Sequence, residues 1–492
     1  MRTRRWLRAF TASAALTLAS LLIATTIQAA VPYAGYTYDG YGDRVWSPVA
    51  YVPSGTVTGE SLGIGLFSAP EDMYVADDGS IYIADTGNSR IVVLSNKYEL
   101  IKVIDKFSNN GTEDKFNKPM GVFVSSEDEV YVADTGNHRI VRLDGQGNAT
   151  LIVSKPESEF FAEGFIFDPK KVVVDAADRI YVIADHVFDG IMQFDGKGAF
   201  ENYYAANRVQ YSVADYVWKR YLSTKEQQER MVTFVPTEYL NMDLDSQDFV
   251  FTTSVDNSAA PKRVQRHNPT GTDVLLRQGF AAPFGDLVVG GGGQSRLVDI
   301  DVGPDGTYSA LDNNRGRIFT YDFEGKLLYI FGGFGYRVGL FEMPTAIERV
   351  NDQFIVLDKI QQRITIFDVT RFGQLMNDAS HYHYIGNEEK AAELWNEVLK
   401  LDANLEIAYS GVSKAMVRDG DNEDAVTYAK YGMDRKTYSK AYQRYRKDVL
   451  KEHFSTVMTT FLVAALALTA FVQVRKHRRN KKGGGSYVES AD

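Results

Sequence analysis

Aspartate, then arginine five residues later, then isoleucine recurs four times in this chain, as Asp85/Arg90, Asp134/Arg139, Asp312/Arg317 and Asp358/Arg363. A carboxylate and a guanidinium at fixed spacing could form a binding or catalytic pair, but repetition points to architecture. An aspartate at a strand end accepts bonds from turn amides while the arginine lies across the hairpin to it. The four pairs are therefore expected to be framework. Composition bounds the remaining chemistry. The 492 residues include no cysteine, which excludes thiolate nucleophiles and thiolate metal sites. Of the 7 histidines only His138, His186 and His267 lie among the repeats, and none has metal-ligand spacing. The Gly290–Gly293 run lacks the Lys-Ser/Thr of a phosphate loop and reads as a connection. A net charge of −10 argues against nucleic acid as a partner.

The elements that position these residues follow from the repeat. Ile81–Ile91 reads IYIADTGNSRI and Val130–Ile140 reads VYVADTGNHRI, with Asp85 and Asp134 49 residues apart. Degenerate copies stand at Ile180–Ile191, Phe249–Ser254, Tyr308–Ile318 and Phe354–Ile364, the second of them without the Asp and Arg. Each unit opens at a proline (Pro70, Pro119, Pro169, Pro236, Pro344, with Leu297 in the fifth) and alternates apolar and polar residues. Hairpin signals such as Asp144-Gly145, Asp195-Gly196 and Glu324-Gly325 follow. With 41 Gly, 29 Tyr and 28 Phe, the composition suits short strands and tight turns. Six such sheets, each packing on its neighbours, close into a ring. The sixth unit ends at Val369 without a last strand, and Arg44–Val52 is expected to supply it.

The motif YxADTGNxRI, with the proline and hairpin glycine at these offsets, resembles the NHL-repeat family over residues 44 to 370. The resemblance implies a mainly β fold, a six-bladed β-propeller, but no single function. Ligands of propellers bind at the mouth of the central channel, so residues just after each opening position are candidates: Glu71, Asp72, Lys170, Lys171, Glu238 and Asp299. If they converge they form a polyol, sugar or cation pocket; otherwise they solvate the channel. The long connection at 203–236 adds Tyr203, Tyr204, Tyr211, Trp218 and Tyr221, with a capping box at Ser223/Glu226. Its rings, Tyr211 and Trp218 above all, either cover that mouth as a binding loop or pack the insertion onto the ring.

The ends carry topology. Arg2, Arg4, Arg5 and Arg8 precede an apolar stretch, Ala9–Ile27, that closes on Ala29 and Ala30, so residues 1–30 read as a secretory signal, or as an uncleaved anchor. Phe454–Val474 is a charge-free run long enough to span a bilayer, and the tail 475–492 begins with Arg475, Lys476, Arg478, Arg479, Lys481 and Lys482. The expectation is a single-pass protein of the cell membrane, with propeller (31–370) and stalk (372–453) outside and tail inside. In the stalk, GNEEKA at Gly386–Ala391 recurs as GDNEDA at Gly420–Ala425, 34 residues on, which resembles the tetratricopeptide repeat. Ala403 and Gly432 depart from that pattern, so the second unit is expected to be loose.

Two functions fit. One is a non-catalytic extracellular module that captures a carbohydrate, another ligand or a partner protein beside a solute-uptake system, and needs no cofactor. The alternative is a gluconolactonase-type enzyme, which would require a divalent cation such as calcium at the channel mouth.

Overall fold

The computed structural model describes residues 31–482 apart from 155, 157–160, 162–163, 207–237, 257–260, 284 and 288–293. The expected signal (1–30), most of the aromatic insertion and the end of the tail lie outside the described residues.

The repeat motif explains how each blade is made. In blade 1 the Asp85 carboxylate, fully buried, accepts bonds from Ser68 N, Asn88 Nδ2 and Arg90 Nε at 2.7, 2.9 and 2.7 Å. Asp134 of blade 2 does the same for Asn117 N, Asn137 Nδ2 and Arg139 Nε at 2.7, 2.9 and 2.7 Å. The threonine hooks the next blade: Thr86 Oγ1 donates to Pro119 O at 2.7 Å, and Thr135 Oγ1 to Pro169 O at 2.6 Å. The glycine is required by contact, since a Cβ on Gly87 would sit 2.7 Å from Ser68 O and one on Gly136 2.6 Å from Asn117 O. Asp, Thr and Asn of ADTGN thus tie a strand end to its own blade or to the next, and Gly allows the close approach.

Blades 1, 2, 3 and 5 are four-stranded antiparallel meanders whose inner strands are Asp72–Val75, Gly121–Val124, Pro169–Val174 and Leu297–Val302. Among the described residues blade 4 has three strands, Glu238–Leu244, Val250–Val255 and Val264–His267. The second strands are buried on both faces, as in Val130–Asp134, because each blade is sandwiched between two others. Outer strands such as Leu100–Ile104 face solvent. The six inner strands touch one another in ring order, the sixth (Pro344–Val350) returning to the first.

Closure differs from the expected strand. Blade 6 is completed by Tyr51–Thr58, which pairs antiparallel along all of Arg363–Val369. The expected segment Arg44–Val52 overlaps this strand only at Tyr51 and Val52. Its beginning, Arg44–Trp46, instead pairs with Tyr36–Tyr38, and that hairpin is added to the outer edge of blade 5 at Ile330. The reason is a buried carboxylate. Asp286 accepts bonds from Arg44 Nη2 (2.7 Å), Tyr36 Oη (3.2 Å), Tyr38, Arg315 and Arg317. Burial alone would raise its pKa, but these donors and the arginine charges hold it below the ordinary carboxylate value.

Asp286 also accounts for a second correction. Asp312 and Arg317 are backbone partners in register, yet the Arg317 side chain turns to Asp286 and Tyr36, and Asp312 accepts from Arg296 N and Asn314 N at 3.0 Å each. In blade 6 Arg363 reaches the Tyr336 and Arg337 carbonyls, while Asp358 collects the amides of Glu342, Met343, Ile360 and Gln361. The side-chain pair expected four times forms in blades 1 and 2.

Among the described residues five helices follow the ring: α1 (Arg371–Tyr384), α2 (Glu388–Leu401), α3 (Glu406–Asp419), α4 (Asn422–Tyr431) and α5 (Arg435–Lys482). One compact unit takes in the chain to Asn387 with Lys400–Asn404, and a second takes in Glu388–Leu399 and the chain from Leu405 on. In the first, α1 is capped by Thr370, and Asn377 bonds Tyr51 Oη and Tyr329 Oη at 3.0 and 2.7 Å. In the second, Gly432 is no weak point: a Cβ there would lie 2.5 Å from Ser410 N, so glycine permits the close approach of α4 to α3. The apolar part of α5 has mean hydropathy 2.1 and is long enough to cross a membrane.

Candidate functional site

An innermost propeller strand has a partner on one side only, so its other edge leaves backbone N–H groups facing the channel. Here acidic side chains of the preceding blade receive them. Val122 N donates to Asp72 Oδ2 (2.9 Å), Val302 N to Asp243 Oδ2 (2.9 Å), Ile347 N to Asp299 Oδ2 (2.6 Å) and Arg349 N to Asp301 Oδ1 (3.0 Å). Each bond joins one blade to the next.

Three of the expected site residues meet in this channel. Lys171 pairs with Asp72, and Asn241 donates through its amide to Asp299. Lys171, Asn241, Asp243, Asp299 and Glu348, with Tyr74 and Phe123, line a narrow space of about 10 Å³, room for a single water-sized group. The remaining expected residues do not join it. Glu71 pairs with Lys359 and so bridges blades 1 and 6, and Lys170 pairs with Asp185 at 2.8 Å within blade 3. Glu238 opens the inner strand of blade 4, half-buried, opposite Val255. Tyr211 and Trp218 lie outside the described residues. Tyr203 and Tyr204, counted with the insertion above, belong to the outer strand of blade 3, where Tyr204 is buried and bonds the His267 and Asn268 carbonyls.

The electrostatics of the channel are set by burial and by like charge. Burial raises Asp243 to about 7, with the nearby Asp301 charge adding to it. Glu348 and Asp299 are pushed well above the carboxylate range, first by burial; Asp243, Asp301 and Asp299 then act on Glu348, and Asp72 on Asp299. Burial works against the charge on Lys171, but Asp72 and Asp299 outweigh it and hold its pKa above the ordinary value. Among the described residues the Glu348 carboxylate has no hydrogen-bond partner, unlike Asp72, Asp243, Asp299 and Asp301. It can therefore accept from a hydroxyl or ammonium group entering the channel, or donate when protonated.

Sequence reasoning missed Asn241, Asp243, Asp301 and Glu348. The signal was there: Asn241/Asp243 and Asp299/Asp301 are spaced by two, which puts both members on one face of a strand. The three histidines serve elsewhere. His267 is buried, bonded to Thr252 Oγ1 and Gly271 O at 3.2 and 3.3 Å, and lowered to about 4 by burial. His138 pairs with Asp168, and His186 is exposed beside Asp185. Among the described residues no three His, Asp or Glu side chains form a metal-binding group.

Comparison with known proteins agrees at the level of the repeat. Residues 67–94 and 116–143, which are the first three strands of blades 1 and 2 with their approaches, match the model of the NHL repeat. No curated protein matches the sequence significantly. Among solved structures, the chain is similar to virginiamycin B lyase from Staphylococcus aureus (10% identity, 61% of this chain and 95% of that one, TM-score 0.38). A streptogramin B lyase (11%, 68% and 93%, 0.38) and a protein provisionally named a gluconolactonase (9%, 69% and 98%, 0.38) are alike to a similar degree. Likeness at this level carries no argument about chemistry. What the blades, the ring of inner strands and the matched segments establish together is a six-bladed β-propeller with NHL repeats in its first two blades.

Proposed function

We propose that the chain is a membrane-anchored extracellular binding protein whose propeller captures a small polyhydroxylated or cationic ligand, a carbohydrate in the first instance, at the channel, beside a solute-uptake system. The observation that carries this reading is Glu348: a carboxylate without a hydrogen-bond partner, facing a small polar space that also holds Lys171, Asn241 and Asp243. Such a space matches hydroxyl groups better than an apolar body. Residues 372–453 would serve as a tetratricopeptide-like stalk, and the apolar part of α5 as the anchor. The outward orientation rests on the amino-terminal segment, because α5 carries basic residues on both sides of its apolar run, Lys440, Arg444, Arg446, Lys447 and Lys451 before it and Arg475–Lys481 after it.

The lactonase alternative needs a cage of several carboxylates around a cation. The channel acids are already engaged with backbone N–H groups of the neighbouring blade, which favours binding over hydrolysis. A glycan array probed with residues 31–450, followed by titration of any hit, tests the reading. Glu348→Gln is expected to weaken that hit about tenfold with the melting temperature retained. An array without hits, or a hit indifferent to Glu348→Gln, would remove the channel as the site.

A further inference from the structure

The hairpin added to blade 5, Tyr36–Tyr38 with Arg44–Trp46, brings positive charge and uncovered aromatic surface to one place. The charge follows from the contacts of Asp286. Nitrogens of Arg44, Arg315 and Arg317 all converge on its oxygen Oδ2, while Oδ1 takes the hydroxyls of Tyr36 and Tyr38. A carboxylate oxygen has two lone pairs, so three guanidiniums ask more of Oδ2 than it can accept. Among the described residues no second carboxylate lies within ion-pair distance of Arg44 or Arg317. Asp312, beside Arg317 in register, is bonded to the Arg296 and Asn314 amides instead. The cluster therefore carries an excess of positive charge.

These cations are not sealed in. The side chains of Arg44 and Arg317 are 36% and 23% exposed. Arg317 uses only Nη1, on Asp286 and on Tyr36 Oη at 2.7 Å, and its Nε and Nη2 are unbonded without being buried. Arg44 uses Nη2 on Asp286 and Nε on Tyr38 Oη at 3.4 Å, which leaves Nη1 open. The Tyr36 ring orients both, with their guanidinium carbons 4.9 and 5.0 Å from its centroid. Because both also bond Oδ2, their nitrogens lie within reach of one further oxyanion. Trp46 is the second feature. It stands directly opposite Tyr36 in the hairpin and two residues from Arg44, hence on the same face. It is 68% exposed, and among the described residues no ring packs on it.

We propose that Trp46, Arg44 and Arg317 bind a small carboxylate carried on a flat ring, the ring against the indole and the carboxylate shared by the two guanidiniums. Guanidinium forks match a carboxylate, and an indole offers a flat apolar face. A neutral sugar would leave the open donors as they are, and a bare anion would leave the indole in water. A cation would be repelled. None of the three residues lines the channel, so the site stands or falls apart from the channel reading.

The test uses the full chain in phosphatidylcholine nanodiscs at low salt, with empty nanodiscs as the blank for calorimetric titration. Four probes separate ring from charge: benzoate and methyl β-D-glucuronide carry both, methyl β-D-glucoside the ring alone and acetate the charge alone. Benzoate or the glucuronide should bind saturably and about tenfold more tightly than either control, and which of them does so tells an aromatic from a sugar acid. Trp46→Ala should reduce that probe to the affinity of acetate, and Arg44→Gln should weaken it about tenfold. Both positions are exposed, so both variants should keep the melting temperature of the unaltered chain. No saturable binding of either ringed acid, an affinity no better than that of acetate or of the glucoside, or a preference that survives Trp46→Ala or Arg44→Gln would each overturn the proposal.

Discussion

Blades 1 and 2 and blades 4 and 5 are built on the same plan and differ in how they meet their polar groups. In the first pair the Asp–Arg bond is short, Asp85–Arg90 and Asp134–Arg139 both at 2.7 Å, and each ties the end of one strand to the next strand of the same blade. In the second pair the motif's Asp and Arg are absent from blade 4, whose Asp–Arg pair is instead Asp245–Arg266 and which has three strands among the described residues, and Arg317 of blade 5 leaves Asp312 for Asp286. The regular blades are held by their own repeat, whereas the irregular ones are held by chain from elsewhere: the hairpin at Tyr36–Trp46 on one side and α1 with Tyr384 on the other. Fidelity to the motif therefore marks blades tied by their own repeat, and loss of it marks blades tied by chain from elsewhere.

The largest effect that would break this comparison is at ring closure. Removal of residues 31–58 takes away the outer strand of blade 6 and exposes the whole edge of Arg363–Val369. A loss of the cooperative melting transition is expected. Removal of residues 31–46 takes away only the hairpin on blade 5, and a cooperative transition at a lower temperature should remain. Equal damage from both deletions would mean that the hairpin, not Tyr51–Thr58, closes the ring. Next in size is the contrast between two aspartates. Asp85→Ala leaves Arg90, 15% exposed, without its partner and should cost about 3–5 kcal/mol by denaturant titration. Asp312→Ala strands no arginine and removes the acceptor of two amides and of the Ser295 side chain, so about 1–2 kcal/mol is expected.

Much of the fold was legible because blade architecture repeats in sequence. The hairpin glycines, the ADTGN turn and the opening prolines each have a local cause, and local causes leave local signals. The closing strand was misplaced because RVWSPVAYV alternates as well as YVPSGTVT does, and only Asp286, some 240 residues away, draws Arg44 to blade 5. The same long-range carboxylate hid the fate of Arg317. In the channel, Asp72, Lys171 and Asp299 were legible as residues opening inner strands. Glu71 and Lys170, one position earlier, face ion-pair partners instead, since neighbours along a strand point to opposite sides. Glu348 was not legible, because nothing in PTAIERV says which of Glu348 and Arg349 faces the axis.

A change of pH sharpens the comparison in the channel. Asp243, at about 7 in the fold against 3.8 for a free side chain, binds a proton in the folded state over an interval where the unfolded chain has lost it. Asp299, Asp301 and Glu348 shift in the same direction. A raised carboxylate pKa means that the folded state holds more protons, so stability falls as pH rises from about 4 to about 7. The melting temperature is expected to decline by several degrees across that window in low salt. Asp243→Asn should flatten the decline, and a curve that rises through the window instead would mean that the channel acids are ionised and compensated.

The smallest expected effect concerns the hairpin itself. Arg44 shares the Asp286 carboxylate with Arg315 and Arg317, and its side chain is 36% exposed where theirs are 10% and 23%. A carboxylate that keeps two guanidiniums and two tyrosine hydroxyls is not left unpaired when the third is removed. The partly exposed bond of Arg44 is also weakened by water and salt, as surface ion pairs are. Arg44→Ala should therefore cost only about 0–1 kcal/mol, and most of that should vanish in 1 M salt. Asp286→Asn, by contrast, leaves three arginines facing one another around a neutral amide and should detach the hairpin, with protease cleavage near Tyr41 as its sign. If Arg44→Ala proves as damaging as Asp85→Ala, the hairpin is part of the ring's framework after all, and the division between blades held by their repeat and blades held from elsewhere fails at that point.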